Sequence, residues 1–198
     1  IKKIIVSASS CSNRILRSFV NHNIDLYRKA FITYCRPLLE YSTIIWSPHL
    51  KSEIDSIEKV QRRFTKRVLR RIDKNLYDSY SYAQRLQVFG LTSLHHRRIM
   101  TDLIECFKIV RGFQTHPLIS GMFQVNCRPQ RNGNSLTLIQ DSVSSSQSLF
   151  FFKHRVTRLW NLLPDSIVSS STVDAFKSRI EKEDLLELYE ISNRNVHL

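Results

Sequence analysis

Acidic side chains are scarce in a chain rich in basic ones. Asp and Glu number 17 against 30 Lys and Arg, a formal net charge of +13. The deficit is local: residues 1–71 hold 15 basic and 5 acidic groups, whereas the last 18 residues, with "EKEDLLELYE", total −3. An excess this concentrated favours a polyanionic partner, nucleic acid first and an anionic membrane surface second. Glycine and proline are also few, four and five in 198 residues, so long segments run unbroken. Cys11, Cys35, Cys106 and Cys127 are scattered with no CxxC pair, which excludes a disulfide framework and the usual zinc spacing. A reducing nuclear or cytoplasmic setting fits that usage. No run reaches the roughly 18–20 apolar residues of a membrane span, and no secretory leader is read. The first residue is Ile1 and methionine appears only at 100 and 122, so a segment of a longer polypeptide is expected.

Catalytic constellations are missing as well. There is no Asp-Asp pair for two-metal chemistry, no GxSxG elbow, no Walker loop and no HExxH. Glu183 and Asp184 sit in an acidic terminal helix that reads as a solvated face. The chain is therefore expected not to be an enzyme by itself, and neither a cofactor nor a small-molecule ligand is expected in it.

What is present is helical periodicity. With 42% apolar residues the chain can bury a core as one domain or two small ones. "NIDLYRKAFITYCRPLLEYSTIIW" places Ile24, Tyr27, Phe31, Tyr34 or Cys35, and Leu38 at helical steps, with Pro37 expected to kink or restart the helix. Ser52 and Asp55 resemble a weak capping box opening a helix to about Leu69. Gly90 and Gly112 read as the stops of two further helices. Residues 113–147 contain two short extended runs around "RNGN", which predict a small β-hairpin. The expected fold is mainly α, a helical bundle with a small β-hairpin insertion, divided into 1–112, 113–147 and 148–198.

The strongest local signal is "EKVQRRFTKRVLRR", Glu58 to Arg71, with seven basic residues in fourteen. At 100° per residue Ile57, Val60, Phe64, Val68 and Ile72 share a sector of about 120°. Lys59, Arg62, Arg63, Lys66 and Arg70 lie on the opposite side, Arg67 lies between, and Arg71 intrudes on the apolar edge. A solvated face normally mixes signs, yet Glu53, Asp55 and Glu58 precede the cationic block. Like charges four apart, as in Arg62–Lys66–Arg70 and Arg63–Arg67–Arg71, cost a few tenths of a kcal/mol per pair. A phosphate backbone would offset that cost; a plain solvated face and a membrane surface are the alternatives. "LHHRRIM" sets His95, His96, Arg97 and Arg98 in the first turn of a helix, where cations oppose the helix dipole and an anion would help. The adjacent histidines diverge by about 100° and have no partner at ligand spacing, so metal is not expected. Phe152, Val156, Leu159 and Leu163 form a core stripe, with Phe151 and Trp160 as candidates for a partner surface.

These motifs closely resemble the region after the reverse transcriptase core in LINE-type (non-LTR) retrotransposon polyproteins of the jockey-like, endonuclease-bearing kind. The matches run in order over roughly residues 14–180: Arg36-Pro37, Glu40-Tyr41, Trp46-Ser47-Pro48, Val60-Gln61-Arg62-Arg63, Arg85-Leu86, Gly90-Leu91, Arg97-Arg98, Asp102-Leu103, Trp160-Asn161-Leu162-Leu163-Pro164 and Phe176-Lys177. The resemblance implies a helical thumb and post-thumb segment of an RNA-directed DNA polymerase. The family's catalytic aspartates precede this chain, so no catalytic residue carries over, and the parent polymerase would use Mg²⁺ elsewhere. The implied partners are an RNA or RNA–DNA duplex and the upstream polymerase palm of the same polypeptide, with no membrane. The duplex would be held through Lys59, Arg62, Arg63, Lys66, Arg67, Arg70, Arg97 and Arg98. Trp46, Phe64 and Val68 would anchor the basic helix. A rival expectation is a helical protein-interaction module from a decayed retroelement, binding an acidic partner.

Overall fold

The computed structural model describes residues 1–20, 22–73, 79–114, 121–126, 134–143, 145 and 147–194. They are mainly helical. In chain order the helices are α1 (Lys2–Ser18), α2 (Ile24–Ala30), a π turn (Phe31–Cys35), α3 (Arg36–Glu40), α4 (Thr43–Trp46), α5 (Lys51–Ile72), α6 (Tyr82–Phe89) and α7 (Leu94–Val110). A 3₁₀ turn (Ser148–Phe150) follows, then α8 (Phe152–Asn161), α9 (Asp165–Val168), α10 (Val173–Ile180) and α11 (Leu185–Arg194). The chain forms two compact units, Ile1–Arg97 and Arg98–Leu198, each with its own core. This division falls within α7, whereas the composition-based one was drawn at Gly112.

In the first unit, α1 packs on α5 and on the continuous run from α2 to α3. Proline sets the form of that run. Pro37 has no N–H to donate, and the helix answers by widening one turn before it: the Arg36 N–H bonds the carbonyl of Phe31, five residues back. The core is built from Ala8, Ile15 and Leu16 of α1, Tyr27, Phe31 and Leu39, and Ile57, Phe64, Val68 and Leu69 of α5. Phe31 and Phe64 stack at 4.7 Å between centroids. Each fully buried large apolar side chain of this set contributes about 1.5–3 kcal/mol.

Both predicted helix stops are present. Gly90 takes φ +57 after α6, and the Leu91 N–H reaches back to the Leu86 carbonyl at 2.9 Å, a Schellman closure that a β-carbon would strain. Gly112 takes φ +72, with the Phe113 N–H bonding the Lys108 carbonyl at 2.8 Å. The capping box expected at Ser52 does not form: α5 begins at Lys51 with Leu50 as its cap, and the Ser56 hydroxyl donates to the Ser52 carbonyl. A capping box forms instead at Ser81 and Gln84, opening α6.

The second unit is organised around an aromatic stack and one buried ion pair. Phe107 stacks on Phe176 at 4.3 Å, and Trp160 stacks on Phe176 at 6.0 Å. Arg155 grips Asp102 with two parallel hydrogen bonds of 2.8 and 2.9 Å, the two side chains being 7% and 5% exposed. Burial pushes the Asp102 carboxyl up from its ordinary range, and the charges of Arg155 and Arg98 oppose that rise.

The expected β-hairpin is not seen. Its turn, 131–133, lies outside the described residues, and the described residues contain no strand. What they show is a single antiparallel bridge between Val125 and Leu138, with the Asn126 N–H on the Thr137 carbonyl and the Ile139 N–H on the Gln124 carbonyl. The reason is that this backbone finds its partners on a helix rather than in a ladder. The Asn161 side chain pairs with both the N–H and the carbonyl of Leu138, at 2.8 and 2.9 Å. Trp160 Nε1 donates to the Leu136 carbonyl, and Asn134 Nδ2 donates to the carbonyls of Trp160 and Leu163. Trp160 is thus fully buried, which corrects its reading as a partner-surface residue; Phe151 is exposed.

Replacing Asp102 by Asn removes the carboxylate that pairs with the buried Arg155, and the expected loss of stability is about 3–5 kcal/mol. Urea unfolding of the whole chain measures it; a change below about 1 kcal/mol would show that the pair does not hold this unit together.

Candidate nucleic-acid interface

Helix α5 is 22 residues without glycine or proline, and its burial pattern divides it cleanly. Ile57, Val60, Phe64 and Val68 are 0–4% exposed. Lys59, Arg62, Arg63, Lys66, Arg67, Arg70 and Arg71 are all exposed. The projected split between a core side and a cationic side therefore holds in the folded chain. Phe64 and Val68 anchor the helix as expected, while Trp46 is partly buried and donates its Nε1–H to the Tyr41 carbonyl at 2.6 Å.

The buried side is wider than the apolar stripe because a polar ridge runs beside it. Glu58, Gln61 and Thr65 are 0–6% exposed, spaced three and four apart like the apolar residues. The Glu58 carboxylate accepts the backbone N–H groups of Leu94 and His95, at 3.0 and 3.3 Å, and the Tyr82 hydroxyl. It is the negative cap of α7. Burial and the Glu58 charge push the Tyr82 phenol well up, so it stays a donor. Gln61 Nε2 donates to the Thr92 carbonyl and the Tyr82 oxygen. One side of α5 thereby fixes the entry of α7.

That internal anion changes the reading of Arg97 and Arg98. The first turn of α7 was expected to need an anion from outside, yet Glu58 supplies it. Arg97 lies bidentate against Glu40, and Arg98 is 1% exposed. Arg98 is thus withdrawn from solvent and removed from the candidate surface, while Arg97, about a third exposed, has its anion in Glu40. The signal for this lay in Glu58 itself, a lone acid beside Ile57 and three residues before Gln61 on an otherwise inward-facing stripe.

The cations of α5 divide further by what they touch. Arg71, predicted to intrude on the apolar edge, caps the C-terminus of α1: its Nη1 donates to the carbonyls of Leu16 and Phe19 and to the Tyr27 oxygen, at 2.5, 2.7 and 3.1 Å. Arg67 donates to the Asn13 side-chain oxygen. Arg62 lies over the Tyr82 ring at 4.9 Å. Among the described residues Lys59, Arg62 and Arg63 make no ion pair. Asp55, Ser56, Lys59, Arg62, Arg63 and Lys66 line one open groove along the helix.

Among the described residues no group of three or more His, Cys, Asp or Glu is arranged to hold a metal ion. No described helix is long and apolar enough to cross a membrane.

No family model matches the chain, and no solved structure matches it. The chain is similar to an uncharacterized protein of Caenorhabditis elegans, 29% identical over 109 residues. That match takes in 55% of this chain and 54% of the relative, so the chain spans about half the length of the curated relative it matches.

Glu58→Ala removes the cap of α7 and is expected to cost about 2–3 kcal/mol. Hydrogen exchange should show the Leu94 and His95 amides losing protection; unchanged protection there would contradict the capping role.

Proposed function

We propose that the chain is a non-catalytic, nucleic-acid-binding segment from the region after the reverse transcriptase core of a non-LTR retrotransposon polyprotein. It holds an RNA or RNA–DNA duplex by its phosphates. The observation that carries this reading is the outer side of α5: a row of exposed cations, three of which make no ion pair among the described residues. The contact set is Lys59, Arg62, Arg63, Lys66, Arg67 and Arg70. From Lys59 to Arg70 the helix rises about 16 Å, while a duplex presents one charge per about 1.7 Å of its axis, so several phosphates fall within reach of the row.

The contacts are of the backbone-positioning kind and carry no sequence readout. The adjacent polymerase palm of the same polypeptide, where Mg²⁺ and the catalytic aspartates reside in this reading, supplies the chemistry. Nucleus and cytoplasm are the compartments in which such a duplex is met.

Fluorescence anisotropy of a labelled RNA–DNA duplex against the whole chain tests the proposal. An Arg63→Glu/Lys66→Glu/Arg70→Glu variant is expected to bind about 100-fold more weakly at moderate salt, with helix content unchanged and with duplexes of unrelated sequence bound alike. Equal binding by the variant, or preference for an acidic peptide over the duplex, overturns it.

A further inference from the structure

A cleft of about 360 Å³ lies along the seam where α1 packs on α5. Ser9, Ser12 and Asn13 form its α1 wall, Arg63 and Arg67 its α5 wall, and Val60 and Phe64 its floor. Among the described residues no acidic side chain lines it. Both its cations therefore face neutral groups, whereas Arg97 and Arg36 of the same unit are both set against Glu40.

The hydrogen bonds inside the cleft leave it a surface of donors. Arg67 Nη1 donates to the Asn13 side-chain oxygen, so the amide oxygen is occupied and the Asn13 NH₂ remains to donate. The Ser12 hydroxyl donates to the Ser9 carbonyl at 2.8 Å. Among the described residues the Ser9 hydroxyl and the Arg63 guanidinium have no hydrogen-bond partner. Two guanidinium groups, an amide NH₂ and a hydroxyl thus converge on a partly sheltered space over an apolar floor. That donor set suits a group with several acceptor oxygens and a negative charge, and shelter from water strengthens the charge-assisted bonds it would make.

We propose that this cleft seats one backbone phosphate of the bound duplex, and that α1 is the second wall of the interface. The inference rests on the duplex reading of α5. It adds a fixed contact of different character: the outer cations neutralise charge from an open surface, while Ser9, Asn13, Arg63 and Arg67 hold a single phosphodiester in place. Such a contact sets where the duplex lies along α5 without reading its bases.

Two measurements on the whole chain test it. In duplex binding, Ser9→Asp and Asn13→Asp are compared with Ser10→Asp, an exposed position of α1 outside the cleft. The cleft variants are expected to bind about tenfold more weakly than the Ser10 variant and to flatten the salt slope by about one unit. In NMR of the unsubstituted chain, the Asn13 side-chain amide and the Arg63 Nε–H are expected to shift on addition of duplex, which keeps the test sound if a variant misfolds. Binding by the unsubstituted chain with cleft variants matching Ser10→Asp, or with no shift at Asn13, overturns the cleft alone. No duplex binding by the unsubstituted chain overturns the α5 reading and the cleft with it. Tighter uptake of inorganic phosphate than of duplex, seen by the same resonances, assigns the site to a free anion and also overturns it.

Discussion

Two ladders of like charge, Arg62–Lys66–Arg70 and Arg63–Arg67–Arg71, cannot be placed in a core, and that prohibition sets the roll of α5 about its axis. With the ladders held outward, Ile57, Phe64 and Val68 face inward and Phe64 meets Phe31. The same roll carries Glu58 and Gln61 inside, where one carboxylate caps α7 and one amide ties the preceding loop. Desolvating Glu58 would be costly for a lone charge, but two backbone N–H groups and a phenol surround it. The first unit is thus organised from a single helix whose outer face repels itself and whose inner face collects every element around it.

The second unit uses a comparable device on a smaller scale. Asp102 and Arg155 are taken out of water together, and their bidentate geometry leaves little choice of register between α7 and α8. Around them the aromatic rings of Phe107, Trp160 and Phe176 supply burial, the Asn161 side chain satisfies the backbone of Leu138, and Asn134 donates to the carbonyls of Trp160 and Leu163 at the end of α8.

Local features were legible in the residues alone. The helical class, the stops at Gly90 and Gly112, and the two sides of α5 follow from period and backbone preference, which depend on neighbours within a turn or two. What was not legible depended on distance along the chain. Glu58 meets Leu94, Arg97 meets Glu40, and Asn161 meets Leu138; nothing local to either partner announces the pairing. So Arg97 and Arg98 read as surface cations, "RNGN" read as a hairpin, and Trp160 read as exposed. Pro37 announced a disturbance, and it takes the form of a widened turn whose Phe31 and Cys35 are buried, the turn packing against α1.

The cationic ladders remain the feature that the fold does not use up. Arg71 is engaged with the end of α1, whereas Arg67 stays exposed beside Asn13, and Lys59 and Arg63 stay exposed with no ion pair among the described residues. A polyanion that neutralises this row must release its counterions, so the dependence of affinity on salt reads the number of contacts directly. The plot of log K against log salt for an RNA–DNA duplex bound by the whole chain is the most direct test. A slope near −4 to −5 is expected if about five phosphates are neutralised; a slope flatter than about −2 would contradict a duplex held along α5.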